Sequence, residues 1–279
     1  MSFLLPKSME RPQRKQPQRR VTPASIIAVG SGKGGVGKTF MSITLASAFA
    51  QAGKKTLLVD GDLGLANIDV QLGIAPETDL AAVIAGWVEL EDAVTPVDGG
   101  SSSGGFDVLP GRSGSGALAE LSSEEVARLA AGLSALALQY DQVILDLGAG
   151  IENNCMRLAR AADKVVMIIT DEPTSMTDAY AFMKVLRGYA PSVEQVVAIN
   201  QCETRAAGQR TFEAVARACQ TFLTFRPALA GTIMRDEAVR EAIRSQRTLI
   251  STDPNSQPIQ DAIAIAHTLL EDNGQSIAC

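Results

Sequence analysis

A chain of 279 residues, 46% hydrophobic and only 4% aromatic, can build one large α/β domain or two small ones around a core of Ala, Val, Ile and Leu. A formal net charge of -6 argues against a protein whose whole surface binds nucleic acid. The single histidine, His267, excludes a His-based metal site or a Ser-His-Asp triad, and Cys155, Cys202, Cys219 and Cys279 lack C-x-x-C spacing, so they read as reduced thiols rather than a disulfide or zinc framework.

Residues 1–24 are rich in Pro, Gln, Arg and Lys and read as a mobile tail. Six Lys/Arg against one acid in residues 1–20 suit a basic arm for an acidic partner, nucleic acid or a lipid surface; the plain alternative is a solvated extension. Ser2-Phe3-Leu4-Leu5-Pro6 is too short for a signal-peptide core and has no basic residue before it. No apolar run reaches the length of a membrane-spanning helix.

Ser25-Ile26-Ile27-Ala28-Val29 reads as a buried strand, and Phe40 to Ala52 as a helix. Between them Gly32-Lys33-Gly34-Gly35-Val36-Gly37-Lys38-Thr39 fits G-x-x-x-x-G-K-[ST], and strand–loop–helix is the context in which that pattern cradles phosphate. Its glycines let backbone N–H groups turn inward, and the helix N-terminus adds positive dipole. Lys38 then reaches the terminal phosphates, and Thr39 holds Mg²⁺ through its hydroxyl. Lys33, a second lysine early in the loop, is not needed for that cradle.

Lys55 to Asp60 is a second buried strand, and Asp60 and Asp62 follow each other at its C-terminal end, where open α/β sheets bind ligands. A carboxylate there serves Mg²⁺, usually through water, or orients an attacking water, although Asp-Gly is also an ordinary turn. Short helical pieces are expected over 79–86 and 88–94, a Gly/Ser loop over 98–105, a strand over 106–110 and a further Gly/Ser loop over 111–116. A helix over 122–139 has Ser122 or Ser123 as N-cap, with Glu124 and Glu125 in its first turn. Tyr140 to Asp146 is an apolar strand ending in a carboxylate, which would accept from Mg²⁺-bound water. Cys155, in the helix that follows, reads as a packing residue. Strands over 164–170, 193–200 and 228–233 then alternate with helices from Asp171 to Arg187, over 208–223, from Arg235 to Arg247 and from Ser256 to Glu271. Regular alternation predicts a doubly wound, mostly parallel sheet flanked by helices, the α/β class of P-loop NTPases. With no internal linker or repeat, the expected organisation is a tail over 1–24, one ATPase domain over 25–272 and a short tail over 273–279.

Lys33-Gly34-Gly35-Val36-Gly37-Lys38-Thr39 resembles the deviant Walker A loop of the MinD/ParA ATPases. Val59 to Asn67 resembles their switch I, and Leu147-Gly148-Ala149-Gly150-Ile151 their switch II. Asp171 to Tyr180 and Asp236 to Ile243 look like the FlhG/FleN group, the MinD-like regulators of flagellar number. The resemblance implies a slow, Mg²⁺-dependent ATPase that closes into a homodimer on ATP. Lys33 would cross to the partner's nucleotide, as an arginine finger does. Lys33, Lys38 and Asp62 become the catalytic residues, with Asp62 positioning water; the plain alternative leaves Lys33 as a solvated loop residue. Thr39, Asp60 and Asp146 become the metal residues. ATP contacts fall on Gly32 through Phe40, on Asn67 across the dimer, on Asn200 at the adenine, and on Arg235. The implied partners are the flagellar transcriptional activator and the FlhF-type GTPase, with no specific nucleic acid, in a cytoplasmic protein that associates with the pole or inner membrane in some settings.

Two features depart from that pattern. The family's N-terminal GTPase-activator motif is absent from residues 1–24. The last helix has an apolar stripe of Ile259, Ile263, Ala266 and Leu270 but no Lys or Arg after Arg247, so anionic lipid gains nothing electrostatically and the stripe reads as core. A ParA-like DNA-partitioning or MinD-like positioning ATPase is the alternative, as is an adaptor that uses nucleotide only to set its shape.

Overall fold

The computed structural model describes residues 24–111 and 121–275. The basic segment 1–23, most of the Gly/Ser stretch after Gly111 and residues 276–279 lie outside them.

Eight strands form one sheet in the order β3-β4-β2-β5-β1-β6-β7-β8. They are β1 (Ser25–Ser31), β2 (Thr56–Gly61), β3 (Thr95–Val97), β4 (Phe106–Leu109), β5 (Gln142–Ala149), β6 (Lys164–Ile169), β7 (Glu194–Cys202) and β8 (Ala228–Met234). All neighbours pair in parallel except β3 with β4. The central strands are continuous apolar runs because both faces of the sheet are covered. Helices α4 (Ser123–Ala137), α5 (Asn153–Ala159), α6 (Pro173–Tyr189) and α7 (Arg205–Leu223) contribute to one core; α1 (Lys38–Gln51) and α10 (Gln257–Gln275) contribute to the other.

α1 is buried on every side from Lys38 to Ala50, as suits a helix that is apolar or small all round. Leu45 and Phe49 belong to the core it shares with the sheet and α10. Of the stripe expected in α10, Ile259 and Ala266 are buried and Ile263 and Leu270 pack half-buried against the core, while Ala262, Ile265 and Leu269 between them are buried more deeply than the stripe's edges. No helix among the described residues is long and apolar enough to cross a membrane.

The differences from expectation are local. The stretch expected to be helical over 88–94 forms only a 3₁₀ turn at Glu91–Ala93, after which β3 runs antiparallel along β4. This strand is three residues long and contains Pro96, so it has little strand signal and sits at an edge, where a missing N–H is tolerated. Two short helices, α2 (Ile68–Leu72) and α3 (Leu80–Ile84), flank the loop between β2 and β3. The helix expected through Arg247 stops at Arg244 as α8 (Glu237–Arg244), because Gln246 turns left-handed at φ 53°; α9 (Leu249–Thr252) follows. β5 continues past Asp146 to Ala149, so that carboxylate lies within the strand rather than at its end.

β1 lies between β5 and β6, and the chain leaves it first toward β2 on one side and later toward β6 on the other. The crevice beyond the C-terminal ends of such strands is where an open α/β sheet takes its ligand.

Candidate functional site

The loop from Gly32 to Gly37 fills the turn between β1 and α1. Gly32 lies against the backbone of Asp178 and Ala179 in α6 so closely that any Cβ would collide. Gly37 caps α1 at φ 95°, and a Cβ there would strike the Asn200 amide. Gly34 and Gly35, by contrast, face open space, with no atom near a notional Cβ. The loop is therefore pressed onto the fold at both ends and open in the middle, the shape a phosphate cradle needs. Its brace is the end of β7: Asn200 Nδ2 donates to the Val36 carbonyl at 2.8 Å, and Gln201 Nε2 donates to the Gly35 carbonyl at 3.4 Å. Asn200, expected at the adenine, thus has its amide engaged by the loop itself. The Phe40 side chain, expected near ATP, is buried with Ala242, Leu249, Ile250 and Ile259.

Asp60 and Asp146 stand opposite each other on adjacent strands β2 and β5, each 1% exposed. Asp146 accepts from Thr39 Oγ1 at 2.7 Å and from Ser42 Oγ at 2.8 Å. Asp60 accepts three backbone N–H groups, from Asp62 at 3.2 Å, Asn67 at 3.0 Å and Ile68 at 3.1 Å, so it anchors the segment after β2. Burial, reinforced by the Asp146 charge, pushes the Asp60 carboxyl up to about 7. Burial pushes Asp146 up to about 6, against the pull of its Thr39 bond, the Lys38 charge and its Ser42 bond. Two buried, mutually repelling carboxylates beside a hydroxyl and an ammonium form a hard oxygen donor set that fits Mg²⁺. Among the described residues no group of three or more His, Cys, Asp or Glu side chains forms a metal cage. Such a cation would share phosphate and water ligands with Thr39, Asp60 and Asp146, as Mg²⁺ usually does, and would supply neutralisation of phosphate charge.

Asp62 lies across from Gly148, where a Cβ would come within 3.3 Å of its Oδ1. That oxygen accepts the Leu65 N–H at 2.9 Å. Asp62, Gly148, Glu152 and Cys155 line a cavity of about 390 Å³ between the two switch segments. Of the three aspartates, Asp62 is thus the one that opens onto the cavity, while Asp60 and Asp146 are enclosed. Cys155 donates from Sγ to the Gly148 carbonyl at 3.3 Å, and burial pushes its thiol up to about 12, so it packs and does not react. Asn67 caps α2 without a side-chain cap bond; its Oδ1 accepts from Gln71 at 3.3 Å.

Lys33 is 41% exposed and pairs within its own chain, with Glu172 at 2.6 Å and Thr174 at 3.2 Å. Leu65 and Ile151, one from each switch segment, are 73% and 47% exposed. Arg235, after β8, pairs with Glu203 at 2.9 Å.

The structure thus brings Lys38, Thr39, Asp60 and Asp62 beyond or at the C-terminal ends of β1 and β2, next to Asp146 within β5, with Asn200 behind the loop. Sequence reasoning missed Ser42, Gln201, Glu172 and Thr174. Ser42 had a signal, its place three residues after Thr39 on the same helical face. Gln201 and the Lys33 partners had none, because those contacts join segments more than 130 residues apart.

The sequence model of the AAA domain family matches residues 24–199. The chain is 37% identical over 235 residues to the antiactivator FleN of Pseudomonas aeruginosa, covering 84% of this chain and 82% of that one. It is 27% identical over 246 residues to the flagellum site-determining protein YlxH of Helicobacter pylori, covering 88% and 81%. The fold is similar to that of the septum site-determining protein MinD of Pyrococcus horikoshii, solved with Mg-ADP, at a TM-score of 0.74 and 24% identity over 88% of this chain and 96% of that one.

Proposed function

We propose that this chain, which belongs to the MinD/ParA-type ATPases close to FlhG and FleN, restrains flagellar number as an ATP-closed homodimer. Its substrate is ATP with Mg²⁺, and its output is occupancy of a flagellar regulator. The candidates are a transcriptional activator of flagellar genes and an FlhF-type GTPase. The observation that carries the dimer is the exposure of Leu65, which lines the cavity with Asp62, and of Ile151, next in sequence to the cavity residue Glu152. Apolar side chains on the two segments that sense nucleotide gain burial only against another molecule, and a second copy presents the same pair. Lys33 then leaves Glu172 and supplies its charge to the nucleotide of the partner.

In this reading Lys38 holds the terminal phosphates, Thr39, Asp60 and Asp146 serve the metal, and Asp62 orients the water that attacks the γ-phosphate. Turnover is slow because each chain alone lacks the cation in trans. Asn200 keeps the loop in shape through its bond to the Val36 carbonyl.

The test is affinity capture with the tagged full chain, with and without ATP, from cells of its source. Recovery of flagellar regulators only with ATP is the expected result. ATP-dependent, salt-sensitive retention of random DNA instead would favour a DNA-partitioning role, in which the basic residues before Ser25 would make the phosphate contacts.

A further inference from the structure

Asp146 is held twice from one helix. Thr39 donates to Oδ2 and Ser42 to Oδ1, at 2.7 and 2.8 Å. The two hydroxyls are three residues apart on the first turns of α1, hence on one face, directly over β5. Ser42 is fully buried. Its hydroxyl has a single proton and two acceptors in reach, Asp146 and the Lys38 carbonyl at 3.1 Å. The carboxylate contact is the shorter and the charge-assisted one, so the proton belongs there. A serine present only for packing would bond back to the carbonyl four residues earlier, here Lys38, and leave the carboxylate alone.

The carboxylate torsion of an aspartate is broad, so one donor leaves its plane free to pivot, whereas donors on both oxygens fix it. Fixing matters at this position because Asp60, opposite in the sheet, repels any charge on Asp146. Thr39 cannot do this alone, since its hydroxyl is also the one placed to face the metal.

We propose that Ser42 is a positioning residue for the metal-bearing carboxylate: its hydroxyl fixes the plane of Asp146 so that the site takes up Mg²⁺ with bound ATP. The inference rests on the nucleotide–metal reading above and adds to it a residue outside the phosphate loop. Ser42 touches neither phosphate nor water in this scheme, so its effect runs through Asp146 alone.

The experiment is binding of a fluorescent ATP analogue to the full chain, first in EDTA and then across a Mg²⁺ titration, for wild type, Ser42→Ala and Ser42→Cys, with melting temperature measured alongside. Ser42→Ala should leave affinity in EDTA within about twofold and raise the Mg²⁺ midpoint about tenfold or more, the usual cost of losing a hydrogen bond to a metal-bearing group. Ser42→Cys keeps the volume but offers only a weak donor, so it should behave like Ser42→Ala. A Mg²⁺ midpoint unchanged in Ser42→Ala, whatever its melting temperature, overturns the proposal. So does a Ser42→Cys protein that matches wild type while Ser42→Ala does not, because packing would then be the cause. A wild-type protein whose nucleotide affinity ignores Mg²⁺ overturns the metal reading itself, and the role of Ser42 with it.

Discussion

On the α1 side of the site, Lys38, Thr39, Ser42 and Asp146 are each less than a tenth exposed and joined by short hydrogen bonds within one chain. On the switch side, Lys33 is held by an ion pair open to solvent and Asp62 by a turn bond, and Leu65 and Ile151 are exposed. The first region is pre-organised: burying Thr39, Ser42 and Asp146 is tolerable because they partner one another, and the same bonds fix their geometry. The second is held by contacts of the kind worth about 0–1 kcal/mol each, which a nucleotide or a second chain can displace. The difference divides the chemistry. In the proposed dimer, binding phosphate and metal would be a property of one chain, whereas turnover and signalling would wait for the other.

Substituting Asp62 tests the division most strongly. Asp62→Ala should bind ATP and dimerise, yet release phosphate about 100-fold or more slowly, the scale of losing a group that orients or activates a nucleophile. Phosphate release at the wild-type rate would remove Asp62 from catalysis and move the working carboxylate to the enclosed side.

The enclosed side should show itself in pH. Burial pushes the Asp60 and Asp146 carboxyls up to about 7 and about 6, above the ordinary 3.8, so between about pH 4 and 7 the folded chain keeps protons that the unfolded chain has lost. Stability from these two groups is therefore full below about pH 4 and lost as pH rises through 7. Without metal, wild type should melt on the order of 5 °C lower at pH 8 than at pH 5, relative to an Asp60→Asn/Asp146→Asn control. Mg²⁺ with nucleotide should close that gap. Parallel pH profiles in wild type and control would show that the pair is not strained.

The smallest effect concerns the ion pair that keeps Lys33 at home. Glu172→Ala should lower the ATP concentration needed for half-maximal dimerisation by about two- to fivefold, since an exposed pair holds it back by no more than about 1 kcal/mol. An increase instead would mean that Glu172 serves the dimer rather than the resting chain.

The regions also differ in how far the sequence revealed them. The phosphate loop was legible because the backbone must come close to α6 and Asn200 at fixed points, and only glycine fits Gly32 and Gly37 there. The sheet was legible from its buried apolar runs. What escaped was set by tertiary contact alone. The edge strand β3 is too short, and carries Pro96, to have a period. The cradle's brace at Gln201 and the Glu172 partner of Lys33 are long-range meetings that no local spacing encodes. Asn200 shows the intermediate case: the apolar run marks its strand, but β7 continues past it to Cys202, and its bond to Val36 has no local signal.

Whether Lys33 acts across two chains decides this division, and molar mass by light scattering, with and without ATP, tests it directly. Wild type should double in mass with ATP, while Lys33→Ala should bind ATP with ordinary affinity and remain single. A Lys33→Ala protein that still doubles in mass with ATP would contradict the account.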